Sequence, residues 1–464
     1  MISGEGLTIE GNGQTPIIFS GQLSGAGGIT TRVPITLSGD NTLTGPIIGT
    51  TSVSGAPYAI IRVTNPAALG PAGSAPVEIR GDRLELYGGI TVTGKAISLG
   101  TFFGYNQGLV SSGGANAWTG RIDIFSNSYL KTASSTDSLT ITGPIDGHNQ
   151  PYLDVYGAGD ILISGSISNL TQALDKHDTG TLTLAGNNTY SASTYITKGT
   201  VVLRGGNAIG DNSAVLLEVY SPDTATLRLE ADETIGHMRG QRSTIDLGEH
   251  TLRINQLYDG QTYSGTFVGS GKIVKAGPAA IQFYTPNSHT GGTVIEAGTL
   301  QIREDACLGA ASAPTVLIEG TLQWTGPASG ALDSKRTIKL SSSGMTSNNF
   351  DANGKTFSVP GPITGPGALT KVGQGTLVLS NSQNNYAGGT RIVSGAIQFD
   401  QSEAIAGSGP NIFIAVNGQA AAGYPIDQFF LQRIDPTSSG VVALSTASSN
   451  DLDFGSAQLV NVYL

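Results

Sequence analysis

Short runs of alternating apolar and polar residues recur along the whole chain and end at Gly, Asn or Asp. Examples are Leu182-Thr183-Leu184, Ile245-Asp246-Leu247 and Leu252-Arg253-Ile254. A period of two over three to six residues, with turn residues on both sides, predicts short β-strands. Apolar residues at helical spacing occur only in two short stretches, 170–175 and 426–433. The pattern therefore predicts many short strands and very little helix.

A longer motif occurs three times at an almost constant interval. The copies begin at Gly180, Gly277 and Gly375, and they close at Gly210, Gly309 and Gly407. Repetition at fixed offsets is typical of a solenoid, in which each unit buries its apolar face against its neighbours. Three residue types hold fixed places in every copy: Asn188, Asn287 and Asn384; Thr194, Thr293 and Thr390; Gly199, Gly298 and Gly395.

The repeated residues suggest structural roles. We expect each asparagine to hydrogen-bond backbone at its own corner, and each glycine to supply a positive φ where one strand turns into the next. A Gly-x-Gly strand start precedes each long copy, and the complete sub-repeats cover approximately residues 25–70, 157–210, 269–309 and 365–407, the first of them degenerate. Because the number of coils sets the length of a solenoid, we expect one continuous body over residues 1–464.

Composition and charge narrow the classes of function. The 464 residues include 66 glycines and 12% charged residues, and the net charge is −10. There is no basic stripe, which argues against a nucleic acid or an anionic membrane as partner. Lysines and arginines are scattered singly, which predicts solvated positions. Neither a signal peptide nor an apolar stretch of transmembrane length is visible. The chain therefore resembles a fragment cut at both ends from a larger protein.

No convergent catalytic constellation stands out. Asp123 and Asp154 lie in strand-like contexts and are the best candidates for a carboxylate pair on adjacent coils. Five histidines show no HxH or HxxxH spacing, which argues against zinc, and His177 is expected to be a solvated loop residue. We therefore predict no catalytic, cofactor-binding or metal-binding residues. The other acidic pairs lie in turn-like contexts: Asp175 with Asp178, Asp232 with Glu233, Asp246 with Glu249, and Glu304 with Asp305.

Aromatic residues offer a second kind of site. An outward-facing cluster could bind a sugar or a protein, but local packing at the corners is the more common role of such residues. The residues concerned are Tyr190, Tyr386, Phe102, Phe103, Tyr105 and Trp118.

The three copies resemble the passenger-associated repeat of bacterial autotransporters, also called the autotransporter-associated β-strand repeat. Its pattern is similar to GxGTLTLxGxNTYxGGTTVxxGTLxL followed by xALG. Two departures occur, Ala192-Ser193 in place of a double glycine and His289 in place of a tyrosine, and we expect them to alter only turn geometry and surface chemistry. The resemblance implies an all-β, right-handed, single-stranded parallel β-helix of pectin-lyase-like architecture, located outside the cell or at the outer membrane of a Gram-negative bacterium.

Two functional interpretations remain open. The favoured one is a non-enzymatic structural or adhesive passenger region, a rod at the cell surface that binds a protein or glycan of a host or neighbouring cell, or that self-associates. The alternative is a carbohydrate-active β-helix, either a polysaccharide lyase or a glycoside hydrolase. Such an enzyme needs carboxylates converging on one groove, about 5 to 10 Å apart for glycoside hydrolysis.

Overall fold

The structure is a computed structural model, and it consists mainly of parallel β-strands. It describes residues 1–11, 15–50, 59–100, 107–149, 152–341, 348–424 and 428–443. These residues form two compact units. Unit 1 comprises Met1–Gly236 and Gly240–Thr244, and unit 2 comprises His237–Arg239 and the residues from Ile245 onward. Strand β29 (His237–Asp246) contains residues of both units. Among the described residues one short α-helix occurs, α1 (Gln428–Gln432). The prediction of an all-β parallel solenoid with very little helix is confirmed.

The strands of unit 1 are short and follow one another closely along the chain. They are β1 (Leu7–Ile9), β2 (Ile17–Phe19), β3 (Ser24–Gly25), β4 (Ile29–Thr31), β5 (Ile35–Leu37), β6 (Thr42–Leu43), β7 (Ile47–Thr50), β8 (Ile60–Val63), β9 (Val77–Arg80), β10 (Arg83–Tyr87), β11 (Thr91–Val92), β12 (Ile97–Leu99), β13 (Gln107–Ser112), β14 (Ala115–Trp118), β15 (Ile122–Ile124), β16 (Ser128–Thr132), β17 (Ser138–Ile141), β18 (Ile145–Asp146), β19 (Tyr152–Tyr156), β20 (Asp160–Ile163), β21 (Ile167–Ser168), β22 (Ala173–Lys176), β23 (Thr181–Leu184), β24 (Ser193–Ile196), β25 (Gly199–Leu203), β26 (Ala214–Glu218), β27 (Ala225–Leu229) and β28 (Glu233–Ile235).

Unit 2 repeats this organisation and adds two 3-10 turns, Asp305–Leu308 and Ser402–Ala404. Its strands are β30 (Thr251–Asn255), β31 (Gln261–Val268), β32 (Lys272–Ala276), β33 (Ala280–Phe283), β34 (Thr293–Ile295), β35 (Thr299–Ile302), β36 (Thr315–Leu317), β37 (Thr321–Trp324), β38 (Ser329–Ala331), β39 (Ile338–Leu340), β40 (Asn349–Asp351), β41 (Thr356–Val359), β42 (Ile363–Thr364), β43 (Leu369–Val372), β44 (Thr376–Leu379), β45 (Thr390–Phe399), β46 (Ile412–Ala422) and β47 (Val441–Ala443).

The coils of unit 1 contribute strands to parallel sheets, each strand pairing with its equivalent one coil further on. The first sheet has the order β1-β4-β7-β9-β12-β15-β18-β21. A second row runs β2-β5-β8-β10-β13-β16-β19-β22-β24-β26. A third runs β11-β14-β17-β20-β23-β25-β27.

Stacked aliphatic side chains fill the interior of each coil. Along the first sheet of unit 1, successive ladder partners are Ile97, Ile122, Ile145 and Ile167. All four are at most 1% exposed. Because side chains alternate along a strand, the residues next to each of these isoleucines on its own strand point outward and can vary without disturbing the core.

The repeated asparagines join three coils. The amide oxygen of Asn287 accepts a hydrogen bond from the Phe267 backbone at 2.9 Å, and its amide nitrogen donates to the Cys307 carbonyl at 2.7 Å. Thus one side chain bonds the preceding and the following coil. The same pair of bonds occurs at Asn188 and Asn384, and also at Asn41 in the degenerate first copy.

A buried lysine just before the first glycine of each copy satisfies carbonyl groups at the corner. The ammonium of Lys275 donates to the carbonyls of Ala276, Gly277 and Ala297 at 2.8, 2.9 and 2.8 Å. Lys176 and Lys371 make equivalent sets of three bonds, and all three lysines are at most 2% exposed. Burial lowers the pKa of each to about 8. The prediction that lysines occupy solvated positions is therefore wrong for these three.

The repeated glycines lie against this lysine corner. Gly199, Gly298 and Gly395 have φ of 78°, 64° and 69°, the left-handed geometry predicted from the sequence. A Cβ on Gly395 would come within 2.5 Å of the Gly373 carbonyl oxygen and 2.8 Å of the Lys371 ammonium. Both the backbone conformation and the lack of space therefore require glycine here.

The repeated threonines hydrogen-bond to a buried ring four residues earlier. The Tyr190 and Tyr386 hydroxyls lie 2.8 and 2.7 Å from the hydroxyls of Thr194 and Thr390. In the middle copy His289 Nε2 lies 3.1 Å from the Thr293 hydroxyl, so the histidine replaces the tyrosine inside the same contact. His289 is 0% exposed, and the expectation that this departure changes surface chemistry is wrong.

Replacing Lys275 by methionine should destabilise unit 2. The substitution leaves three buried carbonyls without their hydrogen-bond donor, and an unsatisfied buried group costs about 1–3 kcal/mol. This loss of stability is partly offset because the variant no longer has to bury a charged ammonium. We expect a net loss on the order of 2 kcal/mol in urea unfolding. Lys272→Met, at an exposed position of the same strand, is the control and should change stability little. Equal effects of the two substitutions would contradict the role of the corner lysine.

His289 should make unit 2 sensitive to mild acid. Burial and the nearby Arg336 lower the pKa of His289 to about 4, below the 6.5 of an exposed histidine. Between these values the unfolded chain binds the proton and the folded chain does not, so stability is lost as the pH falls from 6.5 towards 4. At about 1.4 kcal/mol per pKa unit the loss is up to about 3 kcal/mol. Urea unfolding at pH 7 and pH 4.5 should show a smaller difference for His289→Tyr than for the wild type, and an unchanged difference would contradict this assignment.

Candidate functional site: two aspartate–histidine clusters

Two acidic residues meet on the second row of unit 1. Asp154 on β19 and Asp175 on β22 are direct partners in the ladder. His177 follows β22, and its Nε2 lies 3.5 Å from Asp154 Oδ1 and 3.5 Å from Asp175 Oδ2. The three side chains are 14%, 23% and 28% exposed, so they are reachable from solvent. We refer to these three residues as the Asp154 cluster.

A second group of the same composition lies on the first sheet of unit 1. Asp123 on β15 and Asp146 on β18 are ladder partners, and His148 Nε2 lies 2.8 Å from Asp123 Oδ1. Arg121 contacts both carboxylates, at 2.6 Å from Asp123 and 3.0 Å from Asp146. Asn169 also donates to Asp146 at 3.0 Å. We refer to Asp123, Asp146 and His148 as the Asp123 cluster.

The two clusters share one arrangement across adjacent coils. An aromatic residue stands two positions after the first aspartate, and the histidine stands two positions after the second. Phe125 stacks on His148 with ring centroids 4.4 Å apart, and Tyr156 stacks on His177 with centroids 4.5 Å apart. The signal in the sequence is therefore Asp-x-Phe or Asp-x-Tyr followed, one coil later, by Asp-x-His. A search for paired histidines does not find it.

The electrostatic environments differ. In the described part of the chain neither Asp154 nor Asp175 forms an ion pair with lysine or arginine, and Asp175 Oδ1 is buried without a hydrogen-bond partner. Burial raises the pKa of Asp175, with Asp154 and Glu218 adding to the rise and His177 opposing it. The interaction with Asp154 raises the pKa of His177. The Asp154 cluster thus holds excess negative charge.

The Asp123 cluster is neutralised by its own neighbours. Burial acts to raise the pKa of Asp146, but hydrogen bonds from the His148 backbone and the Asn169 side chain, together with the charges of His148 and Arg121, hold that pKa below its usual value. The guanidinium of Arg121 bridges the two carboxylates. This cluster is an internally paired surface network.

The structure corrects the predicted carboxylate pair. Asp123 and Asp154 lie on different sheet rows, and each has another aspartate as its partner on the next coil. His177 is not a simple solvated loop residue, because it stacks on Tyr156 and contacts two carboxylates.

Several of the other acidic candidates have structural contacts. Asp178 accepts the Gly157 amide at 2.9 Å, and Asp246 accepts the Gly248 amide at 3.1 Å. Glu233 is buried and accepts the Ile209 amide at 2.8 Å, while Asp305 pairs with the fully buried Arg336. Asp178, Asp246 and Glu233 thus stabilise corners and turns, where backbone amides would otherwise lack partners, and Asp305 neutralises a buried guanidinium.

The aromatic candidates do not form an outward cluster among the residues that the structure describes. Tyr190, Tyr386 and Trp118 are at most 2% exposed, so their role is local packing. Phe102, Phe103 and Tyr105 lie outside the described residues.

Comparison with known proteins agrees with this description. The family model of the passenger-associated-transport-repeat matches residues 174–203, 273–302 and 369–399. The chain is therefore a β-solenoid that carries three copies of the autotransporter passenger-associated repeat. Each matched segment includes the corner lysine, the asparagine, the threonine and the glycine described above.

One curated relative extends the similarity beyond these segments. The adhesin BmaC autotransporter of Brucella suis biovar 1 (strain 1330) is 30% identical over 203 residues, which make up 44% of this chain and 5% of that adhesin. The match thus spans a small part of a much longer protein. No solved structure matches the chain. Among the described residues no helix combines the length and the apolarity needed to cross a membrane.

Replacing Asp154 by asparagine should lower the pKa of His177. The Asp154 carboxylate is the main cause of the raised pKa, and its charge is lost while its shape is retained. An NMR titration of histidine-labelled protein measures the effect. Asp123→Asn, in the other cluster, is the control and should leave the His177 titration unchanged. A His177 pKa that does not move in Asp154→Asn would show that the contact does not form in solution.

Proposed function

We propose that this chain is part of the passenger of a Gram-negative autotransporter, located outside the cell, where it binds a surface protein or glycan without catalysing a reaction. The observation that carries this proposal is the use of the repeat residues. The lysine, asparagine, threonine and glycine of each copy all hydrogen-bond or pack inside the solenoid. The repeated residues therefore stabilise the solenoid, and the outward-facing residues are the ones that can contact a binding partner.

The outward positions differ from coil to coil. On the second row of unit 1, consecutive ladder partners facing outward are Tyr129, Asp154, Asp175 and Tyr195. Aromatic rings and carboxylates on a firm sheet suit the recognition of sugar rings and hydroxyl groups, or of polar protein surfaces. The relative in Brucella suis is named an adhesin, which supports this class of function, although the match covers only 5% of it.

One observation favours the enzymatic alternative. Asp154 and Asp175 form a solvent-reachable carboxylate pair, and the pKa of Asp175 is raised, as in a general acid. The geometry fits this function poorly. The ligand oxygens lie within 4.8 Å of each other, less than the roughly 5–5.5 Å between the carboxyl groups of a retaining glycoside hydrolase. His177 also contacts both carboxylates, whereas the nucleophile and the acid of such an enzyme flank a sugar bond.

Binding and depolymerisation assays on the full chain distinguish the two functions. We expect saturable binding to at least one member of a glycan array or a panel of host surface proteins, lost on heat denaturation, and no product release from uronate-containing or neutral polysaccharides. To test whether the Asp154–Asp175 pair is catalytic, the same assays are made on Asp154→Asn and Asp175→Asn, with Asp123→Asn as the control.

Each result decides between the two functions. If the wild type releases product and this activity is lost in Asp154→Asn or Asp175→Asn but not in Asp123→Asn, the protein is an enzyme and the proposed adhesive function is wrong. Absence of binding to every array and panel member would contradict the adhesive function.

A further inference from the structure

We propose that Asp154, Asp175 and His177 form a binding site for one divalent transition metal ion, with Zn²⁺ as the best fit. The site concerns the outer face of unit 1 and does not depend on the adhesive function. Four properties of the cluster lead to it: the orientation of the imidazole, the spacing of the ligand atoms, the missing counter-charge and the contrast with the Asp123 cluster.

The position of Thr197 favours a neutral His177 tautomer in which Nε2 faces the carboxylates as an acceptor. The Thr197 hydroxyl donates its proton to the Lys176 carbonyl at 2.9 Å. Its oxygen, 3.4 Å from His177 Nδ1, can then only accept, which favours the neutral tautomer with its proton on Nδ1. When the ring is neutral in this tautomer, the lone pair of Nε2 points at two carboxylate oxygens. A cation between them turns this repulsion into attraction.

The distances match a metal site better than a hydrogen bond. Nε2 lies 3.5 Å from each of the two carboxylate oxygens, beyond the roughly 2.7–3.2 Å of hydrogen bonds. Tetrahedral zinc holds nitrogen and oxygen ligands at about 2.0–2.2 Å, so two such ligand atoms lie roughly 3.4 Å apart. In the Asp123 cluster the corresponding distance is 2.8 Å, which is that of a direct hydrogen bond.

The carboxylates of the cluster lack a lysine or arginine as counter-charge in the described part of the chain. Asp175 Oδ1, the oxygen that does not face His177, is buried and also has no hydrogen-bond partner there, whereas both carboxylates of the Asp123 cluster are bridged by Arg121. Arg121 stands two positions before Asp123, and the residue two positions before Asp154 is Tyr152. Thus the Asp123 cluster contains a guanidinium group, whereas the Asp154 cluster has a tyrosine at the corresponding position.

Ligand chemistry selects the class of metal. One imidazole with two carboxylates suits zinc and its neighbours, whereas Ca²⁺ and Mg²⁺ prefer oxygen ligands alone. The Tyr156 ring stacks on His177, and the Tyr156 hydroxyl lies 3.4 Å from Asp154 Oδ2. Tyr156 therefore contacts two of the three proposed ligands, His177 and Asp154. Three protein ligands leave the fourth zinc position open to water or to an oxygen atom of a bound partner.

Calorimetric titration of the chelator-treated full chain with ZnCl₂ tests the proposal. We expect one Zn²⁺ per chain, with MgCl₂ and CaCl₂ giving no comparable binding. His177→Asn and Asp175→Asn should each weaken zinc binding at least tenfold. His148→Asn in the Asp123 cluster is the matched control and should change the affinity less than twofold. Tyr152→Arg should weaken zinc binding by supplying the guanidinium that the other cluster already contains.

The outcomes separate a specific site from general acidic binding. Circular dichroism and thermal unfolding establish that each variant is folded, which we expect because the substituted side chains lie on the outer face. Crystals grown with zinc should give one anomalous peak between Asp154, Asp175 and His177. Three results would overturn the site: no saturable zinc binding, zinc binding that survives in both His177→Asn and Asp175→Asn, or an equal loss in His148→Asn.

Discussion

Hydrogen bonding of the backbone at the corners is the constraint on which both solenoid units depend. Along the strands, parallel ladders satisfy the amides and carbonyls, but each coil must also turn, and a turn removes backbone groups from the ladder. The chain meets this need with buried polar side chains that reach between coils. Asn287 bonds two neighbouring coils, and Lys275 bonds three carbonyls at once. A buried ammonium is costly unless its hydrogen bonds are complete, and the corner provides three acceptors.

This internal use of polar residues separates the scaffold from the surface. Because the repeated lysines and asparagines reach their corner carbonyls and amides from the inside, these bonds do not depend on the outward-facing positions of the strands. Replacing an outward side chain therefore leaves the coil intact. That freedom explains how Arg121 can neutralise one aspartate–histidine cluster, while Tyr152 at the corresponding position leaves the other without a counter-charge. A solenoid of this kind can change its surface chemistry without changing how it folds.

Much of the fold could be predicted from the sequence, because its signals are local. Alternation predicts the strands, and the fixed glycines and asparagines predict corners, which the positive φ of Gly298 and the bonds of Asn287 show directly. The buried lysines escape this kind of prediction because a single charged residue is usually solvated. Their signal is nevertheless present, since Lys176, Lys275 and Lys371 hold nearly the same place ahead of the repeat glycine in the three copies.

The clusters could not be predicted in the same way, because they depend on register between coils of unequal length. In the first sheet, the step from Ile29 to its partner Ile47 is much shorter than the next step, from Ile47 to Val77. A shift of one residue would turn a carboxylate from the surface into the core. Sequence spacing alone therefore leaves the partner of Asp154 undetermined. The alternation of burial along each strand, together with the ladder, places Asp175 beside it and His177 within reach of both.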